Sequence, residues 1–382
     1  MDSSLPNNLN DSIKGRGAAG NLKNRFEKAG YAADPDPQPE VIFDEELAAG
    51  ERAEDALGRR LPLTQYIPDH TRTIVATNAS PDIPFSASIN PYRGCSHGCI
   101  YCYARPTHEY LGMSPGLDFE TKILVKHDAP ELLRAELSSK KWVPRMVACS
   151  GVTDCYQPIE RKLKLTRRCL EVLLDFRNPV GIVTKNALVA RDLDILQQLA
   201  AFDCVGVFFS VTTLDPGLTR IMEPRTSVPR DRLKAMKELA DAGVPVGVMV
   251  APVVPGITDH EMPAILEAAK EAGAGSAGFV PLRLPFAVKD LFADWLERHF
   301  PERKNKVLNR IRELRGGALN DPNAHTRMRG EGIWAEHIAR QFEIHTARLG
   351  LNKRDLNFSA EHFRVPARPV KEGDQLGLFG NE

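Results

Sequence analysis

Between about residues 85 and 281 the chain alternates short, nearly continuous apolar runs with stretches of helical periodicity. The runs are Ser86–Asn90, Arg145–Ser150, Val180–Lys185, Val205–Val211, Val244–Val250 and a weaker Ala277–Pro281. Rich in β-branched residues and without a polar face, they read as strands buried on both sides. Helical segments fall between them at about 128–140, 161–176, 190–201, 228–242 and 259–273. Leu163, Leu165, Cys169, Val172 and Leu173 outline one apolar helix face, and Gly243 and Gly273 stand where C-caps belong. Strands alternating with helices predict an α/β fold with a parallel sheet and right-handed crossovers. Six strands are too few for the standard eight-stranded barrel, and a curved, partly open (β/α)6 barrel fits the count. Ligands collect at the C-terminal ends of such strands. Polar residues gather there: Ser150 and Thr153 after the second run, Lys185 after the third, Ser210 and Thr212 on the fourth.

The flanks differ in character. Residues 1–60 are rich in Asn, Gly, Asp, Pro and Glu, which predicts a mobile N-terminal extension. Its basic piece, Lys14 to Lys28, is a candidate to dock on the body or on a polyanion. The core is expected over 85–285, and a helical C-terminal extension over 286–358, with helices at about 286–299, 302–315 and 332–349. Residues 359–382 read as a loose tail. Across 302–355, 12 Lys and Arg oppose 7 Asp and Glu, so this part is net basic.

Bulk composition narrows the setting. The 382 residues carry 50 basic and 50 acidic side chains, so no global field draws the chain to nucleic acid or acidic lipid. The N-terminus has no apolar run after its first charges, and no stretch of 18 apolar residues exists to span a membrane. Seven cysteines, three of them in one loop, do not form a disulfide framework. Reduced thiols and a cytoplasmic location are expected.

That loop carries the most specific chemistry. Cys95, Cys99 and Cys102 are separated by three and then two residues, with no fourth cysteine nearby. Three thiolates so placed can hold three irons of a [4Fe–4S] cube and leave the fourth open to a ligand. A structural zinc is the competing reading, with His97 or His108 as fourth ligand, although zinc loops usually supply paired C-x2-C ligands. Gly94 and Gly98 allow close backbone approach, whether to a cluster or simply to turn the chain.

With this spacing, and with Tyr101 just before the third cysteine, the chain resembles the radical S-adenosylmethionine (SAM) superfamily. The resemblance implies a partial (β/α)6 radical-SAM barrel, a [4Fe–4S] cluster, SAM as co-substrate and a 5′-deoxyadenosyl radical. It also implies a small electron donor such as flavodoxin or ferredoxin. Over about 85–285 the chain is similar to the branch that contains spore photoproduct lyase and its photolyase-like relatives. The resemblance then assigns Ser150, Lys185 and Ser210 to SAM, and a nucleic-acid lesion as substrate. Modification of a peptide or small molecule is the second reading; a non-catalytic cluster- or zinc-bearing binding protein is the third. Where the superfamily often has Gly-Gly-Glu, this chain has Ser150-Gly151-Val152-Thr153-Asp154. Asp154 is therefore a candidate for the SAM amino group.

The remaining candidates each have a plainer alternative. Cys149, by position, and Cys155, on the next loop, are candidate hydrogen-atom donors, and a buried free cysteine is most often only packing. Arg225, in Glu223-Pro224-Arg225-Thr226, can meet a SAM carboxylate or a substrate phosphate, or else pair with Glu223. His325, Arg327, Arg329 and Trp334 offer cations and a stacking surface to a nucleic acid.

Overall fold

The computed structural model describes residues 13–26, 62–149, 151–353 and 356–367. The first four strands are short: β1 (Gln65–Pro68), β2 (Val75–Thr77), β3 (Ala87–Ile89) and β4 (Tyr92–Arg93). They are followed by β5 (Lys122–Val125), β6 (Val147–Cys149), β7 (Val180–Thr184), β8 (Val205–Ser210), β9 (Val246–Val253) and β10 (Ser276–Pro281). The main sheet has the order β10-β9-β8-β7-β6-β3-β2. Its six predicted strands are all parallel, and β2 closes one edge antiparallel to β3. A mixed α/β barrel, open on one side, results.

Helices α1 (Ala129–Leu137), α2 (Leu165–Phe176), α3 (Leu193–Ala200), α4 (Pro229–Asp241) and α5 (Met262–Glu271) fill the crossovers. Three more follow the sheet: α6 (Val288–His299), α7 (Pro301–Leu314) and α8 (Gly332–Leu349). The helix expected at 161–176 is broken at Lys164, whose φ of 52° lies in the left-handed region.

Register decides which side chains face the helices and which face the lumen. Ile89, Cys149, Ile182, Val207 and Val246 form one paired row across five strands, and all lie in the apolar core under the helices. Side chains alternate along a strand, so their neighbours point inward. The inner row includes Ser88, Ala148, Gly181 and Gly206, with Phe208 and Ser210 further along β8. Phe358 fills the lumen floor: a Cβ on Gly206 would lie 3.0 Å from its ring.

Both flanks depart from expectation. Residues 13–26, part of the extension expected to be mobile, pack against the cysteine loop, with Arg16, Gly17, Ala18 and Ala19 buried. Of the tail expected to be loose, residues 359–367 are seated: Ser359 N–H donates to Asp203 O at 2.9 Å and Arg364 N–H to Phe176 O at 2.9 Å. Backbone hydrogen bonds supply what the polar composition of these segments lacks in apolar area.

Candidate active site at the barrel mouth

The cysteine loop leaves β4 and is held by backbone and one buried ion pair. Cys95 N–H donates to Phe119 O at 2.9 Å, and Ile100 N–H to Met222 O at 3.1 Å. Arg105 is wholly buried; its Nε donates to Cys99 O at 3.0 Å and its Nη2 to Gly98 O at 3.2 Å. The same Nη2 pairs with Glu120, also wholly buried. Glu120 in turn accepts Gly17 N–H at 3.0 Å and Ala18 N–H at 2.8 Å. A Cβ on Gly17 would lie 1.9 Å from Gly98 O, so only glycine lets the strap lie this close to the loop. The sequence offered no sign of this clamp, because Arg105 and Glu120 read as ordinary charges.

Cys95 and Cys99 are buried and Cys102 partly so. Burial raises the Cys99 thiol well above its usual range and pushes Cys102 up to about 11, with the other loop thiols adding to both. Lys185 opposes each shift, so its charge is felt at the same spot. Among the described residues no set of three or more His, Cys, Asp or Glu is spaced to hold a single metal ion. His97 is engaged through both ring nitrogens and His108 through Nε2 alone, its buried Nδ1 having no hydrogen-bond partner among the described residues. His97 lies 3.3 Å from Asp154 Oδ2 through Nδ1 and 3.2 Å from Asn186 Nδ2 through Nε2. His108 uses Nε2 on Lys122 O at 2.9 Å. Three mutually interacting thiols with no fourth ligand grouped with them among the described residues suit a [4Fe–4S] cube better than tetrahedral zinc.

Asn186 Oδ1 already accepts Leu188 N–H and the Ser227 hydroxyl, so its amide donates to His97. Burial disfavours charge on the ring, but Asp154 and the Cys95 thiol outweigh it and raise the imidazole to about 9, so Nδ1–H faces the Asp154 carboxylate. Asp154 Oδ1 accepts Tyr156 N–H at 2.9 Å and the Thr184 hydroxyl at 2.8 Å, and its Oδ2 accepts Lys185 N–H at 2.7 Å. Both oxygens of Asp154, the candidate for the SAM amino group, thus tie the loop after β6 to the end of β7.

Behind the thiols sits a buried network that the sequence did not announce. Glu223, 1% exposed, accepts the Tyr101 hydroxyl, the Thr212 hydroxyl at 2.7 Å and the Arg232 guanidinium. Lys185 Nζ lies 3.4 Å from Glu223 Oε1, 3.4 Å from Thr212 Oγ1 and 3.1 Å from Ala251 O. Burial works against the Glu223 anion, but Arg232 and Lys185 outweigh it and hold the carboxyl well below its usual range. Arg232 also donates to Ser210 O at 2.7 Å, fixing the strand end whose hydroxyl faces the lumen.

The mouth therefore brings together Cys95, Cys99, Cys102, Tyr101, Lys185 and Ser210. Ser150 lies outside the described residues. Arg225 is not part of the group: its N–H donates to His97 O at 3.2 Å and its Nη1 to Thr64 Oγ1 at 3.2 Å, while Glu223 pairs with Arg232 instead. Neither candidate hydrogen donor faces the mouth. Cys149 is 1% exposed in the helix-side row, and Ala148 is the residue that β6 turns inward. Cys155 is fully buried in the same core.

Comparison with known proteins agrees with this geometry. A sequence model of the Radical SAM superfamily matches residues 89–269. An uncharacterised protein of Mycobacterium tuberculosis is 38% identical over 234 residues, 61% of this chain and 68% of the relative. One of Methanocaldococcus jannaschii is 30% identical over 173 residues, 45% of this chain and 62% of the relative. In fold, spore photoproduct lyase complexed with dinucleoside spore photoproduct is similar, with a TM-score of 0.52 at 17% identity. That likeness covers 75% of this chain and 80% of the other. A double mutant of the same lyase with bound AdoMet and dinucleoside spore photoproduct has a TM-score of 0.50 at 17% identity, with the same shares covered.

Proposed function

Since the chain belongs to the radical SAM superfamily, we propose that it is an enzyme that holds a [4Fe–4S] cluster on Cys95, Cys99 and Cys102. When bound, such a cluster supplies an open iron for SAM and the electron that cleaves it to methionine and a 5′-deoxyadenosyl radical. A small reductant, a flavodoxin or ferredoxin, provides that electron. The observation that carries the reading is the seating of the three-cysteine loop beside Lys185, whose Nζ lies 5.7 Å from the Tyr101 ring centroid at the lumen mouth.

The chain's own residues prepare the site for SAM. The contacts of Lys185 to Thr212 and Glu223, at 3.4 Å, are long for charge-assisted bonds. Its ammonium gains by re-aiming at the methionyl carboxylate. Ser150 and Ser210 provide hydroxyls for ribose and carboxylate oxygens. Tyr101, fixed by Glu223, keeps the third cysteine in place. Phe358 under Gly181 and Gly206, with Phe208 above it on β8, gives the lumen an apolar floor.

The substrate we propose is a nucleic-acid lesion. The net-basic C-terminal part and the fold shared with a lyase complexed with a dinucleoside photoproduct support it. The test uses an ultraviolet-irradiated, deuterated oligonucleotide with SAM and dithionite. Deuterium in the released 5′-deoxyadenosine is the expected result. Release without deuterium, from every irradiated sequence, rejects the lesion as substrate and leaves the radical chemistry in place.

A further inference from the structure

We propose that Arg283 anchors a phosphate group of the substrate at the rim of the barrel mouth. This rests on the radical reading above and names the chemistry its substrate presents.

Arg283 lies two residues beyond β10, at the C-terminal end of the strands where ligands bind. Its guanidinium sits over the ring of Tyr103 at 5.7 Å. Tyr103 follows Cys102 directly, is 51% exposed, and donates its hydroxyl to Gly151 O at 2.8 Å. The pair therefore lines the opening between the cysteine loop and the loop after β6.

Among the described residues no carboxylate pairs directly with the guanidinium. Its Nε is buried without a hydrogen-bond partner, and its Nη1 meets only the thioether sulfur of Met328, a weak acceptor, at 3.0 Å. The nearby acids are already engaged. Asp82 takes Arg327 on both oxygens and also the Ser80 hydroxyl. Asp321 takes the Thr326 hydroxyl and Asn323 N–H. Arg315, buried alongside, is satisfied by carbonyls of Pro281, Leu282 and Arg327 rather than by an acid. Burial and the neighbouring Arg327 charge disfavour the Arg283 cation by more than Tyr103, Asp82 and Asp321 favour it. A half-buried cation beside other cations is costly unless an anion arrives.

On the far side of Met328 opens a cleft of about 540 Å³ lined by Pro81–Pro84, Ala324, His325, Met328 and Arg329; Arg283 itself is not in its lining. Met328 is shared between cleft and guanidinium. Planar guanidinium recognises phosphate oxygens in pairs, and the Tyr103 ring beside it offers a stacking face.

The test is fluorescence anisotropy of a labelled single-stranded oligodeoxynucleotide on cluster-loaded protein at low salt. Arg283→Gln should weaken binding at least about tenfold, the loss of one charge-assisted contact. Arg283→Lys should recover part of it, and Arg329→Gln, on the exposed rim where folding is not at risk, should cost a few-fold. A methylphosphonate strand of the same sequence, lacking the charge, should not bind. Competition by AMP that depends equally on Arg283 would keep the phosphate site and assign it to a free nucleotide. Equal binding by wild type and both Gln variants, equal binding of charged and neutral strands, or no binding of any phosphate probe overturns the inference. Deoxyadenosine release by the same wild-type preparation keeps the outcomes separate: release without phosphate binding removes this site alone.

Discussion

Glu223 accepts the Tyr101 hydroxyl on one carboxylate oxygen and the Arg232 guanidinium on the other. It thereby couples the residue before the third cysteine to the helix that follows β8. The carboxylate is held in its charged form by Arg232 and Lys185 against burial.

Replacing Glu223 with Gln leaves two buried cations without their shared anion. We expect a loss of about 3–5 kcal/mol at neutral pH, the cost of breaking a buried pair from one side. The folded pKa lies below the unfolded carboxyl value of about 4.3, so this stabilisation is full above that pH and falls as pH drops through it. Urea midpoints measured between pH 3 and 7 should therefore show wild type and Glu223→Gln converging on the acid side. A constant gap across that range contradicts the assignment.

Gly17→Val tests the strap. The added side chain meets Gly98 O, so the strap must lift and release its two N–H donors from Glu120. Overpacking of this kind costs about 1–3 kcal/mol. A lower urea midpoint, with less iron retained after reconstitution, is expected. Wild-type values for both place the strap outside the cluster support.

Lys185→Ala should weaken SAM binding by about ten- to a hundredfold, one charged hydrogen bond, while iron content stays the same. Equilibrium dialysis with labelled SAM reads the first and iron analysis the second. Unchanged affinity would return Lys185 to a purely structural role with Glu223.

Cys149→Ala separates packing from radical quenching. Because Cys149 faces the helices, its truncation should cost about 1 kcal/mol and leave product identity unchanged. Adducts or off-pathway products in this variant would put the thiol back on the reaction path.

Much of this molecule was legible in the sequence. The six parallel strands and the main helices fall where apolar runs and periodicity put them, because strands buried on both faces need continuous Val, Ile and Phe. The cysteine spacing marked the site because its chemistry is local, within eight residues. What sequence could not show is direction and partnership. In Ala148-Cys149-Ser150 both faces of the strand are buried, so nothing in the apolar pattern tells which side chain enters the lumen. A one-residue difference reverses the answer.

Partnership was hidden for a related reason. Arg105–Glu120 and Glu223–Arg232 are fully buried ion pairs, but each residue looks like surface charge until the fold closes around it. Glu223 was visible as a neighbour of Arg225, and the structure gives it to Arg232, one turn into α4. The strap at 13–26 has too little apolar surface to predict burial. It is held by backbone N–H groups on Glu120 and by Asn24 on the carbonyls of Glu109 and Met113, which composition does not register.

The central claim is that Cys95, Cys99 and Cys102 hold a cluster that cleaves SAM. The most direct measurement is 5′-deoxyadenosine release from SAM under dithionite, by anaerobically reconstituted protein of known metal content. The account predicts about four iron and four sulfide per chain, deoxyadenosine release by wild type, and loss of both cluster and release in each single Cys→Ala variant at these positions. Protein that takes up one zinc and no iron, and releases no deoxyadenosine, contradicts it.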